Sequence, residues 1–144
     1  MTAPPQGEPI GLQLFRVAKT ANRAFQDALA AEGGSLPTWF ILLSLKARPT
    51  ANQRELAAAV GIQDATLTHH LNGMEADGLL TRRRDPANRR VHVVELTEAG
   101  DAAFDRLRTV AQHYDTRLRT GFSDSELETL RGLLGKLRDN VTPE

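Results

Sequence analysis

Basic side chains are concentrated in one short segment of the chain. Its arginines are Arg82, Arg83, Arg84, Arg89 and Arg90. A guanidinium group stays charged and donates a planar fork of hydrogen bonds, which suits phosphate oxygens and the narrow minor groove of DNA. We therefore expect Arg90 to enter a minor groove or clamp the flanking backbone, and the other arginines to neutralise phosphate.

These arginines fall on a predicted β-hairpin. Residues 79–84 and 91–96 are strand-like, and the segment between them, from Asp85 to Asn88, is rich in turn formers. We expect Asp85 to orient a neighbouring arginine, because a carboxylate that faces phosphate opposes binding. Asn88, in the turn, joins the arginines as a candidate contact.

The segment before the hairpin has the spacing of a helix-turn-helix. Ala57 is small enough for two helices to touch, Gly61 tolerates the positive φ of the turn, and Leu67 anchors the second helix. Leu67, Leu71 and Met74 form the inner row of that second helix, so short polar side chains lie opposite. An α-helix fits the major groove, where such side chains meet bases and phosphates. The candidates are Gln63, Asp64, Ala65, Thr66, Thr68, His69 and Asn72.

Bulk composition narrows the class of protein. The chain has 144 residues, a formal net charge of +0 and no cysteine, which excludes disulfides and cysteine-bound metals. No apolar run approaches the ~18–20 residues of a membrane helix, and the N-terminus lacks the pattern of a signal peptide. We expect a cytoplasmic protein that does not bind membranes.

The net charge of zero argues against DNA binding, because DNA-binding domains are often strongly basic. The acidic residues, however, cluster away from the arginines, so one face of the protein is expected to be basic.

Apolar periodicity predicts four helices, a hairpin and two further helices, which is a mainly α fold with a small β-hairpin wing. The predicted helix caps are Asn52, Asp64, Thr97 and Ser123. The last helix carries a row of leucines that a chain of this size cannot bury alone. A two-fold dimer would cover that row and double the DNA-reading helices and wings.

Other kinds of site have little support in the sequence. His69 and His70 are adjacent, so on a helix their side chains diverge by ~100° and cannot share one ion. No His-Glu-x-x-His, nucleophile-elbow, Walker or Gly-x-Gly-x-x-Gly spacing occurs. We expect no metal, no cofactor, no catalytic residue and no enzymatic activity. Phe15, Trp39 and Phe40 either belong to the core or line a pocket for a small aromatic effector.

From about Pro9 to Asn140 the chain resembles the MarR family of bacterial transcriptional regulators. The resemblance lies in Ala-Thr-Leu-Thr-His-His-Leu-Asn-Gly-Met-Glu-Ala-Asp-Gly-Leu-Leu, which runs into Arg-Arg-Arg-Asp-Pro-Ala-Asn-Arg-Arg-Val-His-Val-Val-Glu-Leu-Thr-Glu-Ala-Gly. In that family a recognition helix ending in Glu-x-x-Gly-Leu leads to an Asp-Pro-x-Asp-Arg-Arg wing, and Leu-Thr-x-x-Gly opens the next helix.

Two positions depart from the family pattern. Asn88 stands where aspartate is common, so one internal carboxylate–arginine pair is expected to be absent and the turn to be looser. His69 stands where arginine is frequent, so an imidazole replaces the guanidinium group that usually makes the base contact in that family.

The resemblance implies a homodimer held by the first, fifth and sixth helices, a pseudo-palindromic operator in double-stranded DNA, and an effector pocket between the dimerisation and DNA-binding parts. Residues 1–144 would form one domain. Its parts are N-terminal dimerisation and core helices (9–48), a winged helix-turn-helix (50–96) and C-terminal dimerisation helices (97–140). The favoured function is a sequence-specific DNA-binding repressor that a small molecule relieves. A winged-helix protein-interaction module and a metal-responsive regulator are the alternatives.

Overall fold

The computed structural model describes residues 7–143, and its elements follow the predicted order. The helices are α1 (Ile10–Ala31), α2 (Leu36–Ala47), α3 (Gln53–Val60), α4 (Asp64–Ala76), α5 (Glu98–Leu118) and α6 (Asp124–Val141). The strands are β1 (Ala51–Asn52), β2 (Leu80–Arg84) and β3 (His92–Leu96). The mainly α fold with a small β-sheet wing is confirmed.

The sheet contains one strand more than the predicted hairpin. Its order is β1-β3-β2 and both pairings are antiparallel. Ala51 of β1 lies opposite Val94, while Leu80 of β2 lies opposite Leu96. A strand of two residues is too short to show an alternating pattern in sequence, which is why the third strand was not predicted.

Capping side chains define most helix starts. The Asn52 side chain accepts from the Glu55 N–H at 2.8 Å, and the Ser123 hydroxyl accepts from the Glu126 N–H at 3.1 Å. The Thr97 hydroxyl accepts from the Gly100 N–H at 3.1 Å. The prediction for α4 was wrong. Gln63 occupies its N-cap position without a side-chain cap, and Asp64 is already helical.

The core is built around α2, whose residues Ile41, Leu42 and Leu45 are fully buried. Leucines from the surrounding elements, including Leu67 of α4 and Leu107 of α5, pack into the same cluster. The ring of Trp39 stacks on Phe104 with centroids 5.6 Å apart. This cluster fixes the inner face of α4 and thereby determines which of its side chains face outward.

The chain divides into two compact units, one extending to Ala111 and the other beginning at Gln112. In the first unit, large apolar side chains at the start of α1 are exposed. In the second unit, α6 buries none of its residues, and Leu133 is 52% exposed.

Among residues 7–143 no single helix is long and apolar enough to span a membrane. Helices α1 and α2 meet the length and composition test only together, as a pair bent by 80°.

Candidate nucleic-acid interface

A tight turn sets the angle between α3 and α4. Gly61 ends α3 in the left-handed region at φ 74°, where a glycine is not strained. The Gly61 N–H and the Ile62 N–H both donate to the Ala57 carbonyl, at 2.9 and 3.3 Å. Ala57 is buried. The sequence therefore forms the helix-turn-helix that its spacing predicts.

Helix α4 has one buried face and one exposed face. Leu67, Leu71 and Met74 are buried, as the periodicity predicted. At the C-terminal end of α4, Gly78 adopts a left-handed conformation with φ 77°, and the Leu79 N–H donates to the Met74 carbonyl at 2.9 Å. This arrangement ends α4 and directs the chain into β2. Most of the predicted contact residues of α4 are exposed: Gln63, Asp64, Ala65, Thr66, His69 and Asn72.

Thr68, by contrast, is half-buried and its hydroxyl is engaged within the protein. Thr68 Oγ1 donates to the Asp64 carbonyl at 2.9 Å and accepts from Gln53 Nε2 at 2.7 Å. These bonds join the first residue of α3 to the middle of α4. Gln53 was not among the predicted site residues. Its partner lies 15 positions away, so no local pattern signals the contact.

The wing turn is held by short-range hydrogen bonds. The Asp85 carboxylate accepts from the Ala87 N–H at 2.8 Å, and the Asn88 side chain accepts from the Arg90 N–H at 3.2 Å. The backbone adds a bond from the Asp85 N–H to the Val91 carbonyl at 2.9 Å. The expectation that Asp85 orients an arginine side chain was wrong, because its carboxylate accepts from the backbone of its own turn and makes no hydrogen bond or ion pair with an arginine within residues 7–143.

The wing arginines differ in how far they are already engaged. Arg82 Nη2 donates to Asn72 and Glu75 of α4, Arg83 pairs with Glu95 at 2.8 Å, and Arg84 donates to the Arg89 carbonyl at 3.1 Å. The side chains of Arg89 and Arg90 are exposed and make no hydrogen bond or ion pair within residues 7–143. The positive charge available to a polyanion is therefore greatest at the wing tip.

An open cleft of about 660 Å³ lies between these elements. Gln53, Arg54, Asp64 and Thr68 line one part of it, and Asn88, Arg90 and His92 line another. The start of α3, the first turns of α4 and the wing thus face a shared concave surface. Arg54 and His92 were not predicted as site residues, because only the folded arrangement brings them to the cleft.

The remaining predicted residues lie elsewhere. His69 and His70 form an edge-on ring pair at 5.7 Å, and residues 7–143 contain no group of three or more His, Cys, Asp or Glu arranged to hold a metal. Of the aromatic residues proposed for an effector pocket, Trp39 is buried while Phe15 and Phe40 are 63% and 42% exposed. Phe15 lies on α1, and Trp39 and Phe40 lie on α2.

The fold and the cleft define a winged helix-turn-helix protein. The MarR family model matches residues 35–92. The chain is 29% identical over 137 residues to a putative transcriptional regulatory protein for the hcr operon of Thauera aromatica, covering 93% of this chain and 82% of that one. It is 28% identical over 112 residues to the HTH-type transcriptional regulator BilQ of Clostridium symbiosum (strain WAL-14163), covering 78% of each.

Solved structures agree with the sequence comparisons. The transcriptional repressor CouR, bound to a 23-mer DNA duplex, superposes with a TM-score of 0.82 at 27% identity, covering 94% of this chain and 99% of that one. A probable transcriptional regulator from Pseudomonas aeruginosa gives a TM-score of 0.79 at 26% identity, covering 90% and 97%. Residues 35–92 thus match the MarR family model, and most of the chain is similar to proteins described as transcriptional regulators.

Proposed function

We propose that this protein is a dimeric, sequence-specific, DNA-binding transcriptional regulator. Helix α4 enters the major groove and the wing tip contacts the adjoining backbone or minor groove. One observation carries the proposal: the first turns of α4 and the free guanidinium of Arg90 line the same open cleft. A protein-binding module or a metal sensor has no comparable observation in its favour.

The proposed contacts follow from exposure and from bonds already made. Arg89 and Arg90 lose no internal partner when they meet phosphate, so they should contribute most of the electrostatic affinity. Arg83 and Arg84 must share or give up an existing bond, and their contribution should be smaller. The full proposed set is Gln63, Asp64, Ala65, Thr66, Thr68, His69, Asn72, Arg82, Arg83, Arg84, Asn88, Arg89 and Arg90.

Exposed apolar side chains support the homodimer. Ile10, Phe15 and Val17 of α1 are more than half exposed, and Leu133 of α6 is 52% exposed. Such surface is normally covered by another subunit. Residues 9–48 and 97–140 would then supply the dimerisation helices, while residues 50–96 read DNA. A two-fold dimer presents two copies of α4, which calls for a pseudo-palindromic operator.

Repression relieved by a small aromatic effector is the proposed mode of regulation. CouR, the DNA-bound neighbour, is a repressor, which supports repression here. Phe15 and Phe40 expose ring surface, whereas Trp39 is stacked on Phe104 in the core and would reach a ligand only if that packing opened. An effector would act by favouring a spacing of the two α4 helices that no longer matches the operator.

We place the protein in the cytoplasm, where the chromosome lies.

Footprinting on the DNA upstream of its own coding sequence tests the proposal. We expect protection of two half-sites related by a pseudo-two-fold axis and centred about one helical turn apart. The Arg90→Ala variant should weaken protection at both half-sites. Protection that shows no symmetry, or no protection by the folded wild-type protein on any promoter fragment, would contradict the assignment.

A further inference from the structure

The cleft between the helix-turn-helix and the wing has a free basic side chain on each side. Arg90 lies on the wing side, and Arg54, the second residue of α3, lies on the side formed by the start of that helix. Arg54 is exposed and makes no hydrogen bond or ion pair within residues 7–143. Its guanidinium group is therefore as available to an anion as that of Arg90.

The other charges around the cleft do not neutralise these two arginines. Arg82 also lines the cleft, but its guanidinium donates to the Glu75 carboxylate at 3.1 Å. Hydrogen bonds from Arg82 hold the pKa of the Glu75 carboxyl below its ordinary value, so this carboxylate is charged at neutral pH. Among the residues that line the cleft only Asp64 is acidic, and it forms no ion pair within residues 7–143. The cleft thus keeps an excess of positive charge, carried by Arg54 and Arg90.

Arg54 has no evident role in stabilising the fold. The acid next to it in sequence, Glu55, is engaged elsewhere, because it accepts from Arg48 Nη1 at 3.2 Å and from the Asn52 side chain. The N-terminal end of a helix carries partial positive charge and favours acidic side chains, so α3 gains nothing from a cation in its first turn. Substitution of Arg54 should therefore leave folding intact.

The sheet and the contact between α3 and α4 hold the two sides of the cleft together. Asn52, two residues before Arg54, lies opposite Val93 of the wing strand β3. Gln53 Nε2 donates to Thr68 Oγ1 at 2.7 Å, which joins the start of α3 to α4. The backbone of Arg54 consequently has a defined position relative to both the wing and the recognition helix.

The shape of duplex DNA indicates what occupies the cleft. One sugar-phosphate strand separates the major groove from the adjoining minor groove. When α4 lies in the first groove and the wing reaches the second, that strand passes between them and so along the cleft. We propose that the cleft accommodates this strand, and that Arg54 binds its phosphates from the α3 side while Arg90 binds them from the wing side. This proposal rests on the proposed function and adds to it a contact from α3.

Two consequences distinguish this arrangement from a contact to bases. Each phosphate contact contributes about 0.9 to the slope of log affinity against log salt concentration, so Arg54 in both subunits of a dimer should contribute up to about 1.8. A phosphate contact carries no direct sequence information. Because both arginines hold one strand, the phosphates that they contact in each half-site should lie on the same strand, a few nucleotides apart.

Salt titrations on the footprinted operator test the contact. The proteins compared are the wild type, Arg54→Gln, and Arg54→Lys as a control that keeps the charge at the same position. The slope for Arg54→Gln should be shallower by up to about 1.8, so a fourfold rise in salt should cost the wild type up to about 12-fold more affinity than the variant. Arg54→Lys should keep the wild-type slope. Arg54→Gln should keep the wild-type midpoint in urea unfolding.

Duplexes that carry a single methylphosphonate, an uncharged replacement for one phosphate, locate the contact. The wild type should lose affinity at one phosphate of each half-site to which Arg54→Gln no longer responds, while the variant still responds at the others. Arg90→Ala should become insensitive at a different phosphate of the same strand. The base preference in randomised duplexes should be the same for Arg54→Gln and the wild type.

Several outcomes would overturn the inference. Arg54→Gln with the wild-type slope would exclude the phosphate contact, whether or not its affinity changes, and so would an altered base preference. Phosphates that respond to Arg54 and Arg90 on opposite strands would show that the cleft does not hold a single strand. In each of these cases the wild type still binds its operator, so the proposed function stands. A wild type that binds no duplex would refute the proposed function and this inference with it.

Discussion

Replacing Gly100 with alanine should destabilise the protein, because the first turn of α5 lies directly against the backbone of the segment that leads into the wing. An alanine Cβ at this position would stand 2.0 Å from the Leu79 carbonyl oxygen and 3.0 Å from the Leu79 carbonyl carbon. The same oxygen accepts from the Thr97 N–H at 3.1 Å. Leu79 cannot retreat without breaking this bond and disturbing the pairing of Leu80 with Leu96.

The magnitude follows from three contributions. Overpacking against the backbone costs about 1–3 kcal/mol, and the lost hydrogen bond costs about 1 kcal/mol. Alanine is favoured over glycine in a helix by at most about 1 kcal/mol. The net loss should be about 1–4 kcal/mol in the free energy of unfolding, or roughly 3–12 °C in Tm for a chain of this size.

Urea and thermal unfolding followed by circular dichroism at one protein concentration would measure the effect, since a dimer's Tm depends on concentration. Gly73→Ala is the matched control. Gly73 is also helical, and a Cβ there meets nothing within 4 Å. It should leave stability unchanged or raise it by up to about 1 kcal/mol. If Gly100→Ala is as stable as Gly73→Ala, the close approach of α5 to Leu79 is wrong.

Three further variants test separate parts of the account. Asn52→Ala should lose about 1 kcal/mol in urea unfolding, because the Glu55 N–H loses its cap; an unchanged midpoint would contradict this. The lowered pKa of Glu75 contributes stability above its unfolded value of 4.5, which is lost as pH falls through the folded value. Glu75→Gln should therefore be less stable than the wild type at pH 7, and the difference in the free energy of unfolding should shrink below about pH 4.5. A difference that stays constant with pH would argue against an ion pair between Glu75 and Arg82. Leu133→Asp should convert the dimer to monomer in sedimentation at micromolar concentration, and an unaltered dimer would exclude this leucine from the interface.

Local patterns in the sequence were sufficient for most of the fold. The capping boxes at Asn52 and Ser123 depend on residues three positions apart, and the inner row of α4 depends on helical periodicity alone. These signals are short-range, so they survive without knowledge of tertiary packing. The wrong prediction at the start of α4 is also a local error. Asp64 was predicted as the cap, whereas the neighbouring residue Gln63 occupies the N-cap position, and helix boundaries are commonly misplaced by one residue.

The internal bonds of the candidate site were not predictable in the same way. Gln53 meets Thr68 across 15 positions, and Arg82 meets Asn72 across 10. Each pairing depends on how closely α4 approaches another element, which the core decides. A run of arginines consequently predicts a basic wing but not which guanidinium groups are already engaged. That distinction separates Arg82 from Arg89 and Arg90.

The salt dependence of duplex binding tests the central claim most directly. In a dimer, Arg89 and Arg90 supply four free guanidinium groups, and each phosphate contact contributes about 0.9 to the slope of log affinity against log salt concentration. The Arg89→Ala, Arg90→Ala double variant should therefore show a slope shallower by up to about 3.6 than that of the wild type. Arg131→Ala, which removes an exposed arginine of α6, should leave the slope unchanged. A double variant with the wild-type slope would contradict the claim that the wing tip grips the DNA backbone.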